Sequence, residues 1–184
     1  MPITEFASLS LIPPNTLSDS HVVDLFSKVS SWQSSSSGYS LNFFTNPAEP
    51  AEIHLITGWD DVCAHEKWIA SSRNQELLQI AEGFLNIIGM VHLDLDFNEF
   101  PAEVESLVCV RATGATKGIS EEATSNSVAL MLRGWTGHGK DVQEISTGVY
   151  YFAESDVHLE DGGKEDMRVN LKTSLRRVKF TRYD

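Results

Sequence analysis

The sequence predicts an α+β fold: residues 1–100 carry strands and helices in the order β-α-β-β-α-β, and residues 101–184 repeat that order in degraded form. Three observations predict it. Short segments alternate apolar and polar side chains, as half-buried strands do. Two longer segments space their apolar residues at three and four, as amphipathic helices do. Proline, glycine and asparagine clusters stand between them as turns.

The elements follow in order. Residues 3–12 alternate loosely and stop at Pro13-Pro14, a strand with a hard end. Residues 15–19 supply helix-capping side chains, and Val22, Leu25, Phe26, Val29 and Trp32 then mark the inner stripe of a helix over 19–32. Ser34-Ser35-Ser36-Ser37-Gly38 reads as the loop that ends it. Residues 39–45 and 53–59 read as a hairpin around the Asn46-Pro47-Ala48-Glu49-Pro50 turn. Asp60-Asp61 suits the start of a long helix over about 60–86, because acidic groups favour the positive end of the helix dipole; Val62, His65, Ile69, Leu77, Ile80, Ala81 and Phe84 form its stripe. Residues 90–97 make the fourth strand, with Val91, Leu93, Leu95 and Phe97 on one face. This order is the ferredoxin-like arrangement. Beyond it, strands at 106–113, 145–154 and within 167–184, a helix at 121–133, a turn at 161–163 and a glycine-rich loop at 134–140 follow the same order less clearly.

Composition narrows the function classes. The chain of 184 residues is 41% hydrophobic and 22% charged, ordinary for a globular protein. No apolar run is long enough to span a bilayer, and the first residues lack the basic start and apolar stretch of a secretory signal. Cys63 and Cys109 stand far apart, which fits a reducing compartment and no zinc site, so a cytoplasmic protein without membrane partners is expected. The net charge of −12 disfavours nucleic acid. The seven basic residues between Lys164 and Arg182 are the exception, and read as the outward positions of a final strand.

Residues 57–78 carry a more specific pattern: Thr-Gly-Trp-Asp-Asp-Val-Cys-Ala-His-Glu-Lys-Trp-Ile-Ala-Ser-Ser-Arg-Asn-Gln-Glu-Leu-Leu. A tryptophan closes a strand, a histidine follows six residues on in the next helix, and Ser-Ser and Asn come after. The first half of the chain thereby resembles the dimeric α+β barrel superfamily, in its antibiotic-biosynthesis-monooxygenase-like branch and its fungal members in particular. The resemblance implies a four-stranded sheet with helices on one face and a second sheet closing a barrel on the other. Here a second, degenerate unit in residues 101–184 would complete the barrel as a tandem pseudo-dimer, and pairing of whole chains into a homodimer stays open. It also implies a pocket for an aromatic or polyketide-like small molecule and chemistry that needs neither metal nor cofactor. The expected activity is tailoring of secondary metabolites, first as a monooxygenase. A polyketide cyclase or isomerase, and a non-catalytic binding or interaction protein, are the alternatives. The asparagine that oxygenases of this branch place before the tryptophan has no counterpart at residues 55–58.

The candidate catalytic residues are His65, His92 and His54. His65 lies on the inner stripe of its helix, and reads either as a general base near neutral pH or as a bonded core histidine. His54 shares a strand face with Glu52 and Ile56; His92 shares one with Asp94 and Asp96. His-x-Asp-x-Asp has the donor types of a divalent-metal site, but a polar strand edge explains it as well, and no metal is expected. Either strand histidine could work with Tyr39 as an acid–base pair in the cyclase form. Trp59 and Trp68 are the candidate substrate-binding aromatics, with Trp68 also readable as packing, and Asn74 caps a loop or lines a cavity mouth. The Gly134-Trp135-Thr136-Gly137-His138-Gly139-Lys140 stretch falls short of a phosphate-binding loop because Asp141 replaces the required hydroxyl, and reads as a mobile loop.

Overall fold

The structure, a computed structural model, describes residues 1–101, 103–113, 136–143, 148–154 and 169–180. The first half runs β1 (Ile3–Leu11), α1 (Ser20–Ser37), β2 (Asn42–Asn46), β3 (Glu49–Trp59), α2 (Val62–Ile69), α3 (Ser72–Ala81) and β4 (Leu85–Leu93). The second half contributes β5 (Ser106–Thr113), β6 (Thr136–Lys140), β7 (Gly148–Glu154) and β8 (Val169–Val178). The helix expected at 121–133 and the turn at 161–163 lie outside the described residues.

These strands form one eight-stranded sheet in the order β4-β1-β3-β2-β8-β5-β7-β6. The first four have the ferredoxin-like order, and the second four repeat it strand for strand. One junction is the antiparallel β2–β8 pair, with Phe43 opposite Val178 and Phe44 opposite Arg177. At the other, Leu93 bridges Asp141, the Asp94 N–H donates to the Lys140 carbonyl at 2.9 Å and the Val142 N–H to the His92 carbonyl at 2.7 Å. The sheet thus curls until its outer strands meet, as an α+β barrel. Gly139 permits that approach: a Cβ there would lie 3.1 Å from the Cβ of Leu93.

Alternation along β1 divides the core. Phe6 points inward and packs with Phe44, Ile56, Leu93, Phe152 and Leu175 from both halves. Ala7, Leu9 and Leu11 point outward beneath Val22 and Phe26 of α1. Ile3 and Trp59 meet Leu25, Trp68 and Leu77 beneath all three helices. The apolar inner face of the first sheet is therefore covered by the second half of the same chain.

Four elements differ from the expected ones. Helix α1 continues through the serines to Ser37 and stops only at Gly38, whose φ of 81° suits glycine and whose N–H donates to the Ser34 carbonyl. Each serine costs a helix less than about 0.7 kcal/mol relative to alanine, too little to end one before the glycine. The long helix over 60–86 is two helices, because the Ser71 side chain accepts from the Asn74 N–H at 3.2 Å and caps α3 as a new start. The fourth strand begins at Leu85 and ends at Leu93; past it, Leu95 and Phe97 still face the barrel core, but the backbone turns into a short 3-10 helix at Phe97–Glu99. The glycine-rich stretch, read as a loop, forms β6 over residues 136–140, where pairing with β7 uses the backbone groups glycine leaves accessible. In β8, Ser174 and Arg176 face solvent, whereas Arg177 lies over the Phe44 ring at 5.5 Å.

Candidate active site

Between the outer sheet face and the helices lies a cavity of about 530 Å³. Its walls include Leu25 and Phe26 of α1, Trp68 of α2, Leu77 of α3 and Leu55 of β3, and its convergent polar groups include Glu5 and His65. A volume of this order suits a drug-sized, largely apolar molecule.

The polar groups are placed by strand register and helix caps. Glu5 sits opposite both Thr57 on β3 and His92 on β4, so Glu5 and His92 are neighbours on the outer face. The Asp61 side chain accepts from the Ala64 N–H at 2.7 Å, starting α2 and turning His65 under it toward the sheet. One carboxylate oxygen, Glu5 Oε2, accepts from Trp59 Nε1 at 2.7 Å and from Gln33 Nε2 at 3.0 Å, and lies 3.4 Å from His65 Nε2. His65 stacks on the Trp59 indole, with ring centroids 4.6 Å apart and planes 21° from parallel. Its other nitrogen, Nδ1, is 2.6 Å from His92 Nε2, and His92 Nδ1 is 2.7 Å from Gln143 Oε1. Five elements of the first half and the segment after β6 thus build one continuous cluster.

Burial sets its electrostatics. Glu5 is 4% exposed, and loss of solvation raises its carboxyl to about 7, against the lowering effect of the Trp59 and Gln33 hydrogen bonds. His65 is 3% exposed; burial, and secondarily His92, lower its pKa to about 3, so it is neutral wherever Glu5 titrates. A carboxyl poised near neutrality beside a neutral imidazole is the arrangement proton transfer needs.

The structure brings His65, His92 and Trp59 together. Trp59, at 1% exposure, serves Glu5 and His65 from beneath the cavity, whereas Trp68 lines the cavity wall. Asn74 also lines it, and its side chain donates to the Ile69 carbonyl at 3.1 Å, tying α3 to the end of α2. His54 stands apart on the inner sheet face, stacked on Phe6 and 3.0 Å from Ser8 Oγ; burial lowers its pKa to about 4. Tyr39 stands apart as well: its hydroxyl donates to Asp60 and its ring meets Phe97 edge-on. Asp94 and Asp96 accept backbone N–H groups, and among the described residues no three His, Cys, Asp or Glu side chains gather as a metal site.

Glu5, Gln33 and Gln143 are absent from the sequence-derived candidates. The first two left a signal. Glu5 is the charged member of the buried set Ile3, Glu5, Ala7, Leu9, Leu11, and Gln33 continues the helical stripe Val22, Phe26, Val29. Gln143 left none, because its partner His92 is far away in sequence.

No family model matches the chain, and no curated protein matches it. Solved structures do. A monooxygenase candidate from Lactobacillus acidophilus is similar at 11% identity and a TM-score of 0.58, over 98% of this chain and 94% of that one. Another from Fusobacterium nucleatum is similar at 8% identity and a TM-score of 0.63, over 97% and 93%. A chlorite dismutase candidate is similar at 8% identity and a TM-score of 0.67, over 97% and 95%. At such identities the likeness is one of fold. The chain has the α+β barrel fold of these structures, with a buried carboxyl–imidazole cluster beneath a helix-covered cavity. Among the described residues no helix is long and apolar enough to cross a membrane.

Proposed function

We propose that the protein is a cofactor-independent monooxygenase of the cytoplasm, tailoring an aromatic or polyketide-like molecule in secondary metabolism. The single observation that carries this reading is the apolar cavity of about 530 Å³ with Glu5 and His65 at its polar end. In this reading residues 1–100 form the unit that surrounds the substrate, and residues 101–184 form the unit that completes the barrel behind it.

Glu5 is the base. It removes an acidic C–H proton from a hydroxylated aromatic ring system, and the apolar walls exclude water from the anion formed. That anion passes an electron to O₂, the two radicals join through a C–O bond, Glu5 returns its proton to the peroxide anion, and loss of the second proton from the same carbon then breaks the O–O bond. One oxygen atom stays on the substrate as a carbonyl and the other leaves as water, with the substrate as the source of electrons. His65 and Trp59 hold the carboxyl in place, and Trp68 offers the substrate an aromatic wall.

A second reading has its own support. The His65–His92 pair suits repeated proton shuttling, which is what a cyclase or isomerase needs. Oxygen uptake with a panel of polyketide-derived phenols and anthrone-type aromatics separates the readings. The oxygenase consumes one O₂ per product and stops under nitrogen. Glu5→Gln in folded protein is expected to slow turnover by about 10²–10⁴-fold. Turnover that persists without oxygen selects the cyclase, a folded E5Q protein as active as the parent removes Glu5 as the base, and a parent that binds members of the panel but turns none of them over has a binding role.

A further inference from the structure

We infer that Glu5 exchanges its proton with solvent through His65 and His92, along a chain of polar contacts that leaves the sheet at Gln143. The inference deepens the reading of Glu5 as the base and rests on it: a base sealed under a bound ligand must be charged and discharged by another path.

The path is laid out atom by atom. Glu5 Oε2 is 3.4 Å from His65 Nε2, His65 Nδ1 is 2.6 Å from His92 Nε2, and His92 Nδ1 is 2.7 Å from Gln143 Oε1. Glu5 and His65 line the cavity. His92 is 1% exposed and lies outside that lining, while Gln143 is exposed. The series therefore runs from the cavity, through the barrel's closing seam, to water.

With both rings neutral, the chain has two self-consistent directions. When Glu5 is protonated, it faces a bare His65 Nε2; His65 Nδ1–H donates to His92 Nε2, and His92 Nδ1–H donates to the Gln143 carbonyl. When Glu5 is ionised, every donor reverses: His65 Nε2–H faces the carboxylate, His92 Nε2–H donates to His65 Nδ1, and His92 Nδ1 accepts from the turned amide of Gln143. Passing between them moves one proton at each link. The Glu5 proton goes to His65 Nε2, the His65 Nδ1 proton to His92 Nε2, and the His92 Nδ1 proton to water. Each bond broken is matched by one formed, and one proton leaves. An amide serves both directions because it carries an acceptor and a donor at one end.

The titratable and polar groups that face this chain come from the elements around it. Helix α2 presents His65 and β4 presents His92; α1 presents Gln33, and β3 presents Trp59 and Thr57. Helix α3 ends at Glu82 on the cavity lining, and Asp141 is buried beside Gln143, whose N–H it accepts at 3.0 Å.

Nuclear magnetic resonance of the unliganded protein tests this without substrate, so it can fail while the oxygenase reading stands, and the reverse. With ¹³C-labelled glutamate and ¹⁵N-labelled histidine, the Glu5 carboxyl and the His65 and His92 tautomers are expected to change together, with one midpoint near 7. In Glu5→Gln both rings are expected to hold one tautomer across that range. Gln143→Glu favours the outward direction and is expected to raise the shared midpoint by about one unit, while Gln143→Leu, which removes the acceptor of one direction and the donor of the other, is expected to move it less. Rings that keep their tautomers while Glu5 titrates, or a midpoint indifferent to both substitutions at the exposed Gln143, would overturn the inference.

Discussion

A buried histidine lies against each face of the sheet, and the two behave differently. On the inner face, His54 stacks on Phe6 at 5.5 Å, bonds Ser8, and leaves its buried Nε2 without a hydrogen bond among the described residues, 3.7 Å from the Glu52 carboxylate. On the outer face, His65 stacks on Trp59 at 4.6 Å, but both of its nitrogens face ionisable side chains and the ring borders a cavity. Desolvation lowers both rings, to about 4 and about 3. A displaced pKa therefore accompanies packing as readily as chemistry. Polar groups in series beside open volume are what separate the two faces.

The largest effect that sharpens this contrast is on stability. Phe6→Ala empties the inner face where Phe44, Leu93 and Phe152 converge, and is expected to cost about 3–5 kcal/mol in denaturant unfolding. The Glu5 titration should survive it in protein that remains folded, because Glu5 belongs to the other face. A comparable loss on truncating a cavity-wall residue such as Leu77 to Ala would break the contrast, since that wall already borders empty space.

The next effect is the pH dependence of the outer face. The Glu5 carboxyl rises from 4.5 to about 7 on folding, so the stabilisation it lends is complete below 4.5 and disappears as pH rises through 7. Glu5→Gln lacks that loss. Relative to the parent, it should gain about 3 kcal/mol between pH 4.5 and pH 9, read from thermal or urea unfolding at each pH. A parallel pH profile for parent and variant would show the carboxyl to be unperturbed.

The smallest effect falls on His54. Its depressed pKa means that its contribution is present above 6.5 and fades as pH falls toward 4. His54→Leu removes a buried nitrogen that has no hydrogen bond and should change stability at pH 7.5 by no more than about 1 kcal/mol, while flattening the acid side of the profile. A loss of several kcal/mol at neutral pH would instead give His54 a structural weight equal to that of Phe6.

Much of this was legible in the chain. The alternation of β1, the stripe of α1, and the Trp59–His65 spacing were enough to place a helix over a sheet with a histidine turned inward. Strand β5 runs over residues 106–113 as its pattern predicts. Legibility failed where one local preference competed with another. Ser71 reads as an interior helix position by spacing and as a cap by chemistry, and the cap prevails because it satisfies the Asn74 N–H. The glycines of residues 134–140 read as a loop by composition, yet β6 forms at residues 136–140 because β7 pairs with it.

The sequence by itself determined the α+β class, the strand order of the first half and the inward turn of His65, since periodicity and capping are properties of neighbouring residues. Only the tertiary structure decided which histidines meet. A strand's two faces are equivalent until pairing settles them, and the Glu5–His92 register put His92 on the outer face while the Ser8–His54 register put His54 on the inner one. The closing of the barrel then brought Gln143 to His92 across a distance in sequence that no local pattern encodes.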